Sequence, residues 1–230
     1  MHLITLSFDD GFVASNLKIA ALYEQHGLSA CFNVVAEHIA APTPYMACAG
    51  TGPDHFGLWN ALQARGHEIM PHGLRHENYA ALPLSEAQAS VMRCLEIFTE
   101  KLAGFDPRQA VFNMPYNAST PELDAWLATV VRAIRTSAPG DGLNPLPHRG
   151  LTRLSCTAFG PGNCDAHLDA QIDRLLALPE GWLLYCAHGL DDEGWGPMSA
   201  AYLEGLLARL VVIPSVKMLP AGRALRECIA

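Results

Sequence analysis

Two adjacent carboxylates, Asp9 and Asp10, follow directly on an apolar run in Ser7-Phe8-Asp9-Asp10-Gly11. Side chains of neighbouring residues diverge, so one carboxylate can bind a cation while the other reaches a bound water. A plain polar turn is the competing reading, because Asp-Gly is a common turn pair. A second segment, Gly66-His67-Glu68-Ile69-Met70-Pro71-His72-Gly73-Leu74-Arg75-His76, carries two histidines four residues apart. On a helical turn that spacing would put both imidazoles on one face, as ligands of a divalent metal. With ten histidines in the chain the spacing alone does not identify a site. Two further segments are Phe112-Asn113-Met114-Pro115-Tyr116-Asn117 and Leu184-Tyr185-Cys186-Ala187-His188-Gly189. Each reads equally as a turn with a packed ring or a satisfied loop histidine when taken alone.

The elements that would position these groups alternate along the whole chain. Leu3 to Phe8 reads as a buried strand, and Ile19, Leu22, Tyr23 and His26 mark a helical face ending at Gly27. Further strands are expected at Ala30 to Ala36, His67 to Met70, Ala110 to Asn113, Val130 to Arg135, Leu151 to Ser155 and Trp182 to Cys186. Between them, helical stripes run through Leu58 and Leu62, then Val91 to Leu102 with Ser85 as N-cap. Others follow from Thr120 to Ala128, at Leu168 to Leu175 and at Leu203 to Leu210. Ala138 to Gly150, with three prolines and three glycines, reads as a loop. The stretch Glu37 to Phe56 breaks the rhythm and reads as a lid over a pocket or an insertion. Strands alternating with helices imply parallel pairing. About seven strands without a glycine-rich dinucleotide loop predict a distorted (β/α) barrel, α/β in class, as one domain over residues 1–230. All four polar segments fall just past strand ends, on the rim where βα loops converge.

Composition fits this reading. Of 230 residues half are hydrophobic and 17% charged, enough apolar material for a large core. The formal net charge is −8 and basic clusters are lacking, which argues against nucleic acid as a partner. No apolar run approaches the roughly 18 residues of a membrane span. Met1 leads straight into the first strand without a signal-like segment, and the seven cysteines contain no C-x-x-C pair. The expectation is a soluble cytoplasmic protein with core thiols, Cys186 among them, rather than disulfides.

In order, S-F-D-D-G, G-H-E-I-x-x-H-x-x-x-H, P-Y and L-x-x-x-H-G resemble the polysaccharide deacetylase (NodB-homology) family, carbohydrate esterase family 4, from residue 7 to about residue 210. The resemblance implies a metal-dependent hydrolase that removes acyl groups, mostly N-acetyl groups of sugars, with zinc or another divalent ion. It implies that Asp10, His72 and His76 bind the metal and that Asp9 is the catalytic base. The backbone N–H of Tyr116 would serve the oxyanion and His188 would be the general acid. Pro115, Asn117 and Trp195 would contact substrate; Trp195 either stacks on a sugar ring or caps the barrel. Two departures stand out: Asn113 where the family has arginine, and Asn117 where it has glycine. Arg135, at the end of a neighbouring strand, is the alternative partner for the base; a surface position is the other reading. A non-sugar linear or cyclic amide is the competing substrate, and a catalytically silent binding protein the competing class.

Overall fold

The computed structural model describes residues 1–37, 55–146 and 150–227. The expected lid stretch Glu37 to Phe56 lies almost entirely outside the described residues, apart from its ends. Strand β1 (His2–Phe8) is buried along its whole length. A strand can be apolar on both faces only where both are covered, which makes β1 the centre of a parallel sheet. Helix α1 (Val13–Gln25), β2 (Cys31–Val34), α2 (Phe56–Ala64), β3 (Glu68–Pro71) and α3 (Leu84–Lys101) follow. Then come β4 (Val111–Asn113), α4 (Pro121–Leu127), β5 (Ala133–Thr136), β6 (Leu143–Asn144), β7 (Arg153–Ser155) and α5 (Asp165–Leu176). The chain closes with β8 (Gly181–Ala187), α6 (Ala200–Val211), β9 (Val216–Met218) and α7 (Ala221–Glu227).

Two sheets result. One has the order β3-β2-β1-β8-β6, with β9 also on β1; the other has the order β4-β5-β7. Every pairing is parallel except β6 with β8. Along one edge β1 pairs with β8 over its full length. Along the other it pairs first with β9 and then, at Ser7 and Phe8, with β2. At this fork Thr5 Oγ1 donates to the Leu219 carbonyl at 2.7 Å and accepts from Trp182 Nε1 at 3.0 Å. The continuation of β7 touches β8, where Cys186 N–H donates to the Thr157 carbonyl at 2.8 Å. Between β3 and β4 no backbone ladder is present among the described residues, so the seven-strand ring is incomplete there. Side chains span that seam at its C-terminal end: Asn113 Nδ2 donates to the Pro71 carbonyl at 3.3 Å and His72 Nδ1 to the Asn113 carbonyl at 2.9 Å.

Three readings of the sequence are corrected. Helix α3 begins at Leu84 with Pro83 at the cap, and no side chain caps it, so Ser85 is not the N-cap. The Pro- and Gly-containing segment expected as a loop contains β6. The short β9 and α7 lie beyond the last expected helix. In the fifth expected strand, residues 130–132 form a turn, and the strand begins at Ala133. Thr120 does cap α4, its side chain accepting from Leu123 N–H at 3.3 Å. No helix among the described residues is long and apolar enough to cross a membrane.

His67, just before β3, ties the sheet to α1. Its Nδ1 accepts the Ala30 N–H at 3.0 Å, which leaves Nε2–H to donate to Glu24 at 3.1 Å. Burial holds its pKa below the ordinary 6.5, and Glu24 offsets this only in part. A folded-state pKa below the unfolded one gives stability that is present above pH 6.5 and lost as pH falls through that value. Thermal melts between about pH 7.5 and 5.5 should therefore show a smaller drop for His67→Gln than for the wild type. Equal pH dependence in the two proteins would contradict this tautomer.

Candidate active site

The end of β1 turns sharply because Asp10 and Gly11 both adopt left-handed conformations, with φ of 71° and 80°. Glycine is required at position 11 for space as well, since a Cβ there would lie 3.1 Å from the Trp59 ring. The turn sends Asp9 and Asp10 into the same cavity in different directions. Of the six non-glycine residues with positive φ among the described residues, four line this cavity: Asp10, His76, Tyr116 and Asn117. Such conformations cost on the order of 1–3 kcal/mol each, so backbone strain is concentrated at this rim.

After β3 the chain bends rather than coils. The helical turn expected from the spacing of His72 and His76 does not form. Gly73 (φ 85°) and His76 (φ 57°) reverse the chain instead, and a Cβ at Gly73 would press on Pro115 and Tyr79 at 3.1–3.2 Å. The bend brings His72 Nε2 and His76 Nε2 each to 3.3 Å from the same oxygen, Asp10 Oδ1. That oxygen is buried and has no hydrogen-bond partner. The bond from His72 Nδ1 to the Asn113 carbonyl fixes the tautomer and leaves the Nε2 lone pair aimed at Asp10. Burial would raise the Asp10 carboxyl, but the two imidazoles beside it hold it well below the usual carboxylate range. Three donor atoms, one oxygen and two nitrogens, lie within 4.8 Å of one another. An unsatisfied buried oxygen facing two lone pairs fits a divalent cation, and the donor types suit zinc.

Asp9 has a different environment. Arg135 grips it with both terminal nitrogens, NH1 to Oδ1 and NH2 to Oδ2, each at 2.6 Å. Asn33 Nδ2 adds a third bond to Oδ1 at 2.7 Å, and the Cys186 thiol donates to Oδ2 at 3.1 Å. Ser7 Oγ accepts from both Asn33 and Arg135 at 2.5 and 3.0 Å. Burial pushes the Asp9 carboxyl up, but the charge and hydrogen bonds of Arg135, together with His72 and His188, outweigh it and hold the pKa far below the usual range. Arg135 is fully buried, which excludes the surface reading. It stands on β5 in register with Asn113 of β4. The positive charge thus reaches Asp9 from the strand next to the expected one, while the Asn113 amide serves the β3–β4 seam.

His188, at the end of β8, places Nε2 4.0 Å from Asp10 Oδ2, and the Trp195 ring meets it edge-on at 5.5 Å. Burial lowers its pKa, with Asp10 and Asp9 opposing. Its loop is pinned to α1 through Ser15, whose Oγ donates to Glu193 and accepts from Leu190 N–H. Tyr116 is 60% exposed and its ring lies 4.6 Å from that of His76. Asn117 also faces the cavity, of about 340 Å³. Pro115 is instead buried and packs behind Gly73. Asn33 and Cys186 were not among the expected site residues. A polar Asn inside the apolar strand Ala30 to Ala36 is the signal that could have revealed the first.

The family model for polysaccharide deacetylases matches residues 2–130, and the chain belongs to this family. No curated protein is significantly similar to it in sequence. Solved structures share its fold at low identity. A candidate polysaccharide deacetylase from Mycobacterium smegmatis superposes with a TM-score of 0.71 at 14% identity, covering 97% of this chain and 88% of the other. A family 4 acetyl xylan esterase from Clostridium thermocellum, in complex with a cobalt ion, gives 0.61 at 15%, covering 96% and 89%. The peptidoglycan deacetylase PdaC from Bacillus subtilis gives 0.58 at 16%, covering 97% and 89%.

Removing Arg135 would leave a buried carboxylate without its counter-charge, which typically costs about 3–5 kcal/mol. Urea unfolding of Arg135→Met should show a loss of that order, and the double variant Asp9→Asn/Arg135→Met should regain part of it. Additive losses in the double variant would argue that the pair is not coupled.

Proposed function

We propose that this protein is a metal-dependent deacetylase that hydrolyses the N-acetyl group of an amino sugar or a related glycan-derived compound. The observation that carries the reading is the split between two adjacent carboxylates. One is saturated by Arg135 and Asn33, and the other offers an unpartnered oxygen to two imidazoles. Asp10, His72 and His76 would hold the ion, most suitably zinc. When bound, a divalent cation supplies Lewis-acid polarisation of the acyl carbonyl and of water.

The chain's own residues would do the proton work. Asp9 stays ionised at any working pH, because Arg135 opposes its protonation. Each Asp9 oxygen accepts one Arg135 bond; Oδ2, whose other donor is the weak Cys186 thiol, lies 3.5 Å from His72 Nε2 beside the ligand set and would orient the attacking water and take its proton. Arg135 acts through Asp9 and is a positioning residue. His188 lies on the same cavity, with Asp9 and His188 ligand atoms within 4.8 Å. It would receive the proton and deliver it to the departing nitrogen. The Tyr116 backbone N–H would steady the oxyanion, worth on the order of 3 kcal/mol in comparable sites. Asn117 and Trp195 would flank the substrate. The five described free cysteines are all buried, which supports a reducing compartment, the cytoplasm, as its setting.

Acetate release from a panel of N-acetylated amino sugars, with zinc added, tests the reading; release of product only from cyclic amides would reassign the substrate. Asp10→Ala and His72→Ala should lose both bound metal and turnover. Asp9→Asn should keep the metal and lose on the order of 10²–10⁴-fold in kcat. Near-full activity of Asp9→Asn would remove it as the base. His188→Ala should lower kcat by a similar factor without changing metal content.

A further inference from the structure

The cavity holds a second group of ligand atoms that the hydrolytic scheme does not use as such. The Cys186 thiol, His188 and Asp9 each present one within 4.8 Å of the other two, separate from the Asp10, His72 and His76 set. Cys186 Sγ and Asp9 Oδ2 are 3.1 Å apart. The carboxylate of Asp10 lies between the two groups. Its Oδ1 faces His72 and His76, and its Oδ2 faces His188 Nε2 at 4.0 Å. A carboxylate whose two oxygens face two donor sets is placed to bridge two cations, which in binuclear sites stand about 3.5–4 Å apart.

We propose that Cys186, His188 and Asp9, with Asp10 Oδ2, form a second and weaker cation site that takes thiophilic divalent ions and switches the protein off. The donor set explains the selectivity. A thiolate prefers zinc or cadmium, whereas magnesium and manganese prefer oxygen. Seating the ion replaces the S–H bond: the thiol proton leaves to solvent and the sulfur lone pair binds the cation. A hydrogen bond with Cys156, burial and the neighbouring Asp9 keep Cys186 protonated when no cation is there, with Arg135 opposing, so the ion must displace that proton. The Arg135 guanidinium against Asp9 repels an incoming dication, which places this site second in the order of filling. Occupancy would tie up the base and the acid together. The inhibitory half therefore rests on the roles given above to Asp9 and His188, while the binding half does not.

Equilibrium dialysis against cadmium chloride, read together with near-ultraviolet thiolate-to-cadmium absorption, tests the binding. Wild-type protein should take up two ions per chain, the second with a rise in that absorption. Cys186→Ala and Cys186→Ser should each take up one, without the rise. A single ion in the wild type, or a second ion and an unchanged absorption in both variants, would overturn the site. Excess zinc should abolish turnover of the wild type relative to its one-equivalent value and leave that ratio unchanged in the two variants, while excess magnesium should have no such effect. Cadmium seated at Cys186 with turnover intact would overturn the inhibitory assignment alone. Loss of the first ion is read separately, in His76→Ala, which touches only the first donor set.

Discussion

Two carboxylates on consecutive residues, both buried, repel one another strongly enough that one would ordinarily take up a proton. The ion pair between Asp9 and Arg135 removes that constraint. By binding both oxygens of Asp9, the guanidinium neutralises one charge and leaves Asp10 as the uncompensated one. A cation site there would need no more than two imidazoles aimed at the free oxygen. Without the arginine, a cation arriving between Asp9 and Asp10 would have no reason to choose. The pair also accounts for an otherwise costly feature, a fully buried arginine at the heart of an apolar barrel. Ser7, Asn33 and Met114 supply acceptors and donors around it, so the network is nearly complete.

The barrel serves this pair. Parallel strands deliver their C-terminal ends to one rim, and β1, β3, β5 and β8 contribute Asp9, His72, Arg135 and His188 from positions far apart in sequence. The seam between β3 and β4 lacks a ladder and is bridged by side chains of the site itself. His72 and Asn113 therefore hold the two sheets together while the imidazole points at Asp10. Asn113 is committed to that seam, which is why the charge for Asp9 comes from the neighbouring strand, at the position paired with it. Strain at Asp10, His76, Tyr116 and Asn117 is the cost of turning three loops inward over one small cavity.

Much of this was legible in the sequence. Period-two and helical patterns located β1, β2, β8 and the long helices, because their burial is continuous over many residues. The two- and three-residue strands β6 and β9 and the seven-residue α7 are too short to leave a period, and tertiary pairing alone defines them. Histidine spacing singled out a pair that the structure does bring together, but by a bend around Gly73 and not by a helical turn. Arg135 was visible only as one of two options, since register between strands decides whether an arginine faces the core. Asn33 and Cys186 were hidden because each makes its contact with the neighbouring strand β1, whose register with β2 and β8 the sequence does not give.

Family membership and the geometry lead to one account. On the function proposed above, adjacent carboxylates given unlike partners by a buried arginine would divide the labour of holding a cation and moving a proton. Anomalous diffraction at the zinc edge, from crystals grown with one equivalent of zinc, tests this most directly. The account requires a single peak about 2.0–2.2 Å from Asp10 Oδ1 and the Nε2 atoms of His72 and His76, with Asp9 still gripped by Arg135. A peak ligated by Asp9, with Arg135 displaced, would contradict it.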